Sequence, residues 1–410
     1  MLPRFEVVAR RRPVQLAVDD SGAPVAPYVA TQADSGDLTL SSGSVTLTAT
    51  FGDRVALHVT TDGRTTSHRS RRSGRPEARV EAVGLTLTGP QVTAFTREEG
   101  AWVARARHDL TDRHDVHDEA WLAALSSGSR LGRFGQLGLR DLRVVSHADG
   151  SPYLADRDLL LTATSAGPGG FPTGHCSVWS LDLETLELTH RADLFQRRPG
   201  VGGVDGVYGD HAAHLVHDGD RWLLAASTWG DFDRAKRPVS VTVAESSADL
   251  TAGVHVLASR PLHLPTEGFR SVGVWDPHLV RSDDGWLVGY VSATRYFRFH
   301  PVLAGGPALD ALGVRAVGSG RETEGTTLAR VDGGWRVLAS DKHRRVYPVL
   351  DLELREVGTL DAAYPTNIPW PTLVALDDRS LLVGFNGAPY GGRLVGYGSH
   401  GEVVIQRATG

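Results

Sequence analysis

The sequence predicts an all-β protein built on a five-bladed β-propeller, with a strand-rich N-terminal extension or small β module. Three observations predict this fold. A strand–turn–strand pattern recurs after about residue 135, an acidic or polar residue opens each repeat, and the first hundred residues lack a convincing 3.6-residue apolar period. The 410 residues suffice for one large domain or two ordinary ones, and 47 Gly with 21 Pro suit many short strands joined by tight turns.

Composition excludes several classes of protein. No window holds 18 successive apolar residues, so a transmembrane helix is not expected. The single cysteine, Cys176, rules out an intrachain disulfide, and the N-terminus lacks the apolar segment of a secretory signal. We therefore expect a cytoplasmic protein with no membrane partner. The net charge of −5 and the lack of a basic patch with interleaved aromatics give no support for nucleic-acid binding. The oligomeric state stays open.

The pattern of apolar, polar and turn residues divides the chain into three predicted regions. Residues 1–105 are predicted to form a strand-rich module, because stretches such as 44–63 alternate apolar and polar residues around Asp-Gly-type turns. Residues 106–134 are predicted to be a linker that contains one or two helical turns in DEAWLAAL. Residues 135–410 are predicted to form the propeller.

The repeats in 135–410 share one pattern. An anchor residue precedes three or four apolar residues, an Asp-Gly-type turn and a second apolar run that ends in Ser, Thr or Gly. The anchors of the five copies are Asp141, Asp210, Asp276, Glu324 and a position near Asn367. Three to four strands per unit of about 45–70 residues is typical of propeller blades. Any all-β protein contains such turns, but a β-sandwich would not place acidic anchors at the same point of each copy.

The acidic anchors suggest chemistry. The innermost strands of a propeller run along its axis, so Asp141, Asp276 and Glu324, together with Asp210, are expected to converge at one mouth of the channel. Carboxyl groups crowded in one pocket push their pKa values apart. One carboxyl can then stay protonated as an acid while another stays ionised as a base. Glycoside hydrolysis needs two such groups across the scissile bond.

Two strand-start motifs resemble those of the glycoside hydrolase clan that includes family 43 and its fructan-cleaving relatives. These motifs are Trp275-Asp276-Pro277-His278 and Glu324-Gly325-Thr326-Thr327-Leu328, and VTVAESSADLTAGV is similar to an outer strand of the clan. The resemblance covers about 135–410. It implies a base at Asp141, a pKa-modulating residue at Asp276 and an acid at Glu324. The first blade lacks the Asp-Pro dipeptide of the clan, and the fifth shows no clear His for a central metal.

Seven further residues beside the inner-strand starts are predicted to bind substrate: Asp210, His211, Trp229, Trp275, His278, Arg295 and Trp370. Aromatic rings stack on sugar faces, although blade packing is the alternative role. Asp210 with His211 is either a hydroxyl-binding pair, with Asp210 as a possible base, or a turn acid beside a core histidine. No cofactor is expected, and the H-x-x-H-x-x-H spacing after Asp210 suits a metal site poorly because side chains alternate faces along a strand.

The first functional hypothesis is an inverting glycosidase acting on a small oligosaccharide or glycoside. Glu324 protonates the leaving oxygen, Asp141 activates water, and Asp276 orients or tunes Glu324. The second hypothesis is a glycosyl phosphorylase, whose anionic nucleophile needs arginines such as those in RYFRFH (295–300). A polysaccharide lyase, which would use His or Tyr, and a non-catalytic sugar-binding propeller complete the alternatives.

Overall fold

The computed structural model describes residues 3–19, 22–111, 115–236, 238–331, 333–377 and 379–409. Strands dominate, and within these ranges the helices are α1 (Glu119–Ala123) and two 3₁₀ turns, Phe171–Thr173 and Gly396–Ser399. None of the described helices is long and apolar enough to span a membrane.

Twelve strands precede residue 137. In chain order they are β1 (Arg4–Arg11), β2 (Gln15–Val18), β3 (Tyr28–Ala33), β4 (Leu38–Ser42), β5 (Val45–Thr50), β6 (Ala56–Thr61), β7 (Arg64–His68), β8 (Val80–Thr88), β9 (Gln91–Glu98), β10 (Ala101–Asp109), β11 (Ser126–Ser127) and β12 (Leu131–Gln136).

The remaining strands follow residue 138. They are β13 (Leu139–Val144), β14 (Ser146–His147), β15 (Leu154–Ala155), β16 (Asp158–Ser165), β17 (His175–Leu181), β18 (Leu188–Pro199), β19 (Asp205–Tyr208), β20 (His211–Asp218), β21 (Arg221–Ser227), β22 (Val241–Ser246), β23 (Gly253–Leu262), β24 (Val274–Ser282), β25 (Gly285–Arg295), β26 (Arg298–Gly306), β27 (Gly313–Val317), β28 (Thr323–Val331), β29 (Gly334–Asp341), β30 (Pro348–Leu350), β31 (Glu356–Thr359), β32 (Thr372–Ala375), β33 (Ser380–Asn386) and β34 (Glu402–Thr409).

The N-terminal strands form a two-sheet sandwich. One sheet has the order β11-β4-β5-β6-β7 and the other β10-β9-β8-β3-β12-β2. Their facing residues form one apolar cluster that includes Leu47, Leu57, Leu85 and Ala94. Along β5 every second side chain is buried, which is the period-2 alternation that the sequence displays and that buries one face of a strand.

Five four-stranded antiparallel blades form the propeller, so the predicted fold class is confirmed. Their orders are β13-β16-β17-β18, β20-β21-β22-β23, β24-β25-β26-β27, β28-β29-β30-β31 and β32-β33-β34-β1. The first strands, β13, β20, β24, β28 and β32, contact one another in turn around a ring, which makes them the inner strands. A parallel pairing of β18 with β23 joins the outer edges of the first two blades.

Strand pairing divides the chain at other points than the predicted ranges. β1, inside the predicted module 1–105, pairs with β34 and completes the fifth blade. The predicted linker, 106–134, contains the end of β10 together with β11 and β12, all of which pair with sandwich strands. β1 pairs along the outer side of β34 and is the outermost strand of this blade. The two strands lie almost the whole chain apart, so local patterning carries no sign of their pairing.

The inner strands share one backbone feature near their start. The first four each carry a β-bulge near their start, with the register shifting between Arg140 and Arg143 in β13 and at the matching places in β20, β24 and β28. A residue in the left-handed region sits in each bulge and before β32: Asp141, Ala212, Asp276, Gly325 and Ile368. A bulge re-aims side chains at the strand end. The structural repeat therefore aligns Ala212, and not Asp210, with Asp141 and Asp276.

Five side chains close the channel below its mouth. Four of them lie three residues after the first residue of a bulge, and the fifth, Trp370, precedes β32. This axial plug consists of Arg143, His214, His278, Thr327 and Trp370, all buried. The Arg143 guanidinium lies 4.5 Å from the Trp370 ring centre and donates to Thr327 Oγ1 at 3.0 Å. The imidazoles of His214 and His278 stack at 4.2 Å. The plug separates the mouth from a smaller cavity of about 310 Å³ at the other end.

Candidate active site

A cavity of about 550 Å³ opens where the inner strands begin. Its walls come from all five blades and from the loops that follow them. The lining residues are Arg140, Asp141, Gly170, Phe171, His211, Ala212, Trp229, Phe232, Arg234, Trp275, Asp276, Tyr296, Phe297, Phe299, Glu324, Lys342, Asn367, Ile368, Trp370 and Tyr397. Three carboxyl groups and many aromatic rings thus share one pocket on the propeller axis.

Asp276 is the most enclosed of the three carboxyl residues, with 3 % of its surface exposed. Its backbone is fixed on both sides: its N–H donates to Ser227 Oγ at 2.9 Å, and its carbonyl accepts from Arg143 Nη2 at 3.0 Å. Burial raises the pKa of its carboxyl well above the usual range, and the charges of Glu324 and Asp141 raise it further. The positive charge of Arg143 and the N–H of Gly325 only partly oppose this shift. Asp276 therefore holds its proton readily.

Glu324 precedes the bulge glycine of the fourth blade. Burial, followed by the charge of Asp141, raises the pKa of its carboxyl to about 8. The indole N–H groups of Trp275 and Trp370 and the ammonium group of Lys342 favour the ionised form and limit the rise. A carboxylic acid that is protonated at neutral pH but loses its proton just above it is suited to proton donation.

Asp141 has the most favourable surroundings for an ionised carboxylate. Burial raises its pKa, and Arg140, Thr164 and Arg143 oppose that rise. Arg140 Nε lies 3.3 Å from its Oδ2 atom, and His211 Nδ1 lies 3.9 Å from the same oxygen. Only burial raises the pKa of Asp141, against the charges of Arg140 and Arg143, whereas neighbouring carboxyl charges add to the rise at Asp276 and Glu324.

Two buried nitrogen atoms beside Asp141 have no hydrogen-bond partner within the described residues: Arg140 Nη2 and His211 Nδ1. His211 Nε2 lies 3.1 Å from the carbonyl of Phe171, which can only accept, so Nε2 carries the proton. Burial lowers the pKa of His211 well below its usual value, so the ring is neutral and Nδ1 is an acceptor. A buried donor and a buried acceptor near Asp141 are therefore unpaired within the described residues, although buried polar atoms usually have partners.

Aromatic rings build a large part of the cavity wall and continue from His211, whose ring centre lies 6.2 Å from that of Trp229. Phe171 stacks on Trp229 with ring centres 4.4 Å apart, and Trp229 meets Phe232 at 5.1 Å. Trp275 lies parallel to Tyr296 at 6.5 Å. Such a wall adds flat apolar surfaces to the polar corner beside Asp141, a combination that is common in small-molecule sites.

Most of the predicted site residues meet in this cavity. They are the three carboxyl residues Asp141, Asp276 and Glu324, together with His211, Trp229, Trp275 and Trp370. They come from all five blades, and four of them, Asp141, His211, Asp276 and Glu324, lie at the bulges of the first four inner strands. Their roles in binding and catalysis stay predictions.

Three predicted residues lie elsewhere. Asp210 is fully buried and accepts from Arg198 Nη2 at 2.7 Å and from the N–H of Gly230 at 3.0 Å, so it is a structural ion-pair partner. His278 belongs to the axial plug, where its Nδ1 accepts from the N–H of Leu328 at 3.3 Å. Arg295 is exposed at the end of β25 and does not line the cavity. His278 follows the bulge of β24, which turns its side chain and is not marked in the sequence, whereas Asp210 precedes the bulge of β20 and is held by its ion pair with Arg198.

Several cavity residues escaped sequence reasoning. The cations at the site are Arg140, Arg234 and Lys342, and not the RYFRFH cluster. Arg140 immediately precedes the anchor Asp141, so the sequence offered a reason to place it at the site. Phe171 and Tyr397 come from the two 3₁₀ turns and carried no signal. Among the described residues, no group of three or more His, Cys, Asp or Glu side chains is arranged to hold a metal ion.

No protein-family model and no curated protein matches the chain. Similar solved structures include a family 43 glycoside hydrolase from Xanthomonas citri complexed with xylose, at 11 % identity and a TM-score of 0.46, covering 66 % of this chain and 87 % of that one. An α-L-arabinofuranosidase from Lactobacillus brevis has 12 % identity and a TM-score of 0.44, with 67 % and 92 % covered. A Bombyx mori family 32 β-fructofuranosidase has 14 % identity and a TM-score of 0.44, with 66 % and 60 % covered. Families 43 and 32 are those of the resemblance predicted from the strand-start motifs.

Proposed function

We propose that this protein is a glycoside hydrolase that cleaves a small oligosaccharide or glycoside by acid–base catalysis with inversion. One observation carries the proposal: three enclosed carboxyl groups share a cavity, burial raises the pKa of each, and neighbouring carboxyl charges raise the pKa values of Asp276 and Glu324 further. Glycosidic cleavage needs a protonated and an ionised carboxyl on opposite sides of one bond. A binding module has no comparable need to crowd acids.

The roles follow from the surroundings of each group. Glu324, with a pKa of about 8, donates its proton to the glycosidic oxygen as the bond to the sugar breaks. Asp141, which has Arg140 beside it, is the ionised base that takes a proton from the attacking water. Asp276 stays protonated, because burial and the charges of Glu324 and Asp141 raise its pKa, and the charge of Asp141 helps to keep the pKa of Glu324 high. After one turnover Glu324 is ionised and Asp141 protonated, and exchange with solvent restores both.

The decisive variant is Glu324→Gln, which keeps the shape of the side chain but removes the proton. Hydrolysis of an alkyl glycoside should fall by about 10²–10⁴-fold, the usual contribution of general acid catalysis. A 4-nitrophenyl glycoside of the same sugar should lose much less, because its leaving group needs no protonation. A panel of such pairs, covering pyranosides and furanosides, identifies the sugar. Equal losses on both members of a pair would exclude Glu324 as the acid.

The stereochemistry is tested separately. Proton NMR of the first product should detect the anomer opposite to that of the substrate, before mutarotation. Retention would instead require one of the Asp carboxylates to act as a nucleophile.

A glycosyl phosphorylase is the second candidate, because Arg140, Arg234 and Lys342 all line the cavity. Cationic side chains there suit an anionic nucleophile such as phosphate. In that case cleavage would depend on added inorganic phosphate and would yield a sugar phosphate. Cleavage at full rate in phosphate-free buffer would leave hydrolysis as the activity.

A further inference from the structure

One wall of the cavity stands between the propeller and the N-terminal sandwich. This wall is the loop 167–174, called here the Phe171 loop, which connects β16 to β17 and contains a 3₁₀ turn. Gly170 and Phe171 face the cavity. The other side of the loop faces the sandwich, so the loop is contacted by both parts of the molecule.

On the sandwich side, Tyr28 at the start of β3 holds the loop. Its hydroxyl lies 2.9 Å from the carbonyl oxygen of Pro172 and 3.0 Å from that of Gly174, and it donates its single proton to this pair. The ring is fixed by His175 at 4.9 Å and Phe195 at 5.5 Å. Tyr28 is 2 % exposed, so water cannot replace these bonds.

The turn between β8 and β9 lies against the same loop. Gly89 donates its N–H to the carbonyl of Pro27 at 2.7 Å and adopts a φ of +53°. A Cβ atom added there would lie 2.3 Å from the carbonyl oxygen of Pro172. The sandwich therefore approaches the loop with bare backbone, and only glycine fits at this point of contact.

On the cavity side, the loop sets the position of functional groups. The ring of Phe171 stacks on Trp229, and its carbonyl fixes the tautomer of His211, as described above. The carbonyl of Gly169 accepts from the N–H of Gly398 at 2.7 Å, and the carbonyl of Gly398 accepts from Arg140 Nη1 at 2.7 Å. Displacement of the loop would therefore affect both the aromatic wall and the polar corner beside Asp141.

We propose that the N-terminal sandwich is part of the active-site architecture, and that Tyr28 is the positioning residue through which it sets the Phe171 loop. Tyr28 itself does not line the cavity. Its hydroxyl determines where Phe171 stacks and where His211 and Arg140 meet the substrate. The kinetic part of this inference rests on the proposed glycoside hydrolysis, whereas the structural part does not.

The test compares Tyr28→Phe with Tyr290→Phe. Tyr290 is a matched control, since its buried hydroxyl also donates to a prolyl carbonyl, that of Pro265, but in the third blade and outside the cavity. Tyr28→Phe should raise KM by about 5–10-fold, the equivalent of one lost hydrogen bond, and change kcat by less than about twofold. Tyr290→Phe should leave KM unchanged although it destabilises the fold by a similar amount.

A second readout needs no substrate. Hydrogen exchange of the amides in 167–174 should accelerate by about 5–10-fold in Tyr28→Phe and stay unchanged in Tyr290→Phe. If the protein hydrolyses no glycoside but the exchange accelerates, the positioning role stands and the proposed function fails. Unchanged exchange in Tyr28→Phe would overturn the inference, whatever the activity.

A double-mutant cycle distinguishes the positioning of Phe171 by Tyr28 from a general loss of stability. Phe171→Ala removes the ring that Tyr28 positions, so adding Tyr28→Phe to it should raise KM by less than about twofold more. Fully multiplicative effects on KM would contradict the proposed route through Phe171.

Discussion

Two buried glutamates, one in the sandwich and one at the propeller mouth, behave in opposite ways. Burial raises the pKa of Glu98, but hydrogen bonds from Thr96, Arg105 and two backbone N–H groups outweigh it, and the net shift is downward. Arg105 Nη2 lies 2.7 Å from both carboxylate oxygens, and the N–H groups of Glu77 and Ala78 donate at 2.8 and 3.0 Å. Glu324 has carboxyl neighbours instead, and its pKa rises to about 8.

The difference shows what burial does in each region. In the sandwich, a buried charge is matched by donors and ties β9 to β10 and to the chain before β8. At the mouth, burial without a matching set of donors leaves an acid that holds its proton at neutral pH. The direction of the pKa shift of these two carboxyl groups is thus set by their partners and not by burial alone.

The largest expected effect is on stability at Glu98. Glu98→Gln leaves the guanidinium of Arg105, 3 % exposed, without its counter-charge. The free energy of unfolding should fall by about 3–5 kcal/mol at pH 7, as for other broken buried ion pairs. Urea denaturation measures this loss. The matched control is Glu81→Gln, whose exposed pair with Arg97 should contribute less than about 1 kcal/mol. Equal losses at both sites would remove the distinction between buried and exposed pairs.

At Glu324 we expect the substitution by Gln to change the free energy of unfolding in the opposite direction. Its folded pKa of about 8 exceeds its ordinary value of 4.5, so the folded state holds the proton more tightly. That contribution to stability is fully present below about pH 4.5 and is lost as the pH rises through 8. Glu324→Gln should therefore have little effect at pH 5 and should stabilise the protein by about 1–3 kcal/mol at pH 9. Urea midpoints at the two pH values measure this difference, and destabilisation at pH 9 would contradict it.

The smallest expected effect concerns the pH dependence of kcat/KM. Activity should decline as Glu324 loses its proton near pH 8. Lys342 favours the ionised form, so Lys342→Met should move this alkaline limb to higher pH by about 0.3–1 unit. Lys236, the only other lysine, is exposed beside Asp233 and provides the control: Lys236→Met should leave the limb in place. A shift to lower pH in Lys342→Met would show that another group controls the limb.

Local chemistry explains why the propeller was predictable. Each blade is a set of antiparallel strands joined by short turns, so its pattern lies within about 45–70 residues and repeats. The three carboxyl residues of the cavity were accessible for the same reason, since each opens an inner strand. The Asp-Pro and Glu-Gly strand starts at Asp276 and Glu324 added a resemblance to known motifs.

The failures at Asp210 and His278 have a different origin. A bulge adds one residue to one strand and turns the following side chains, and the sequence does not mark its position. His278 follows the bulge of β24 and therefore faces His214 in the axial plug, whereas Asp210 precedes the bulge of β20 and pairs with Arg198, twelve residues earlier in the chain. Arg295 was misplaced because the end of the β25–β26 hairpin holds its side chain in solvent.

The sequence by itself determined the strands, the number of blades and the carboxyl groups at the inner-strand starts, because these depend on side-chain alternation and turn residues close together in the chain. Only the tertiary structure decided the completion of the fifth blade by β1, the position of Lys342 at the cavity, and the contact of Tyr28 with the Phe171 loop. These depend on pairs of groups far apart in the chain, and their energies come from burial and hydrogen bonding that exist only once the fold has formed.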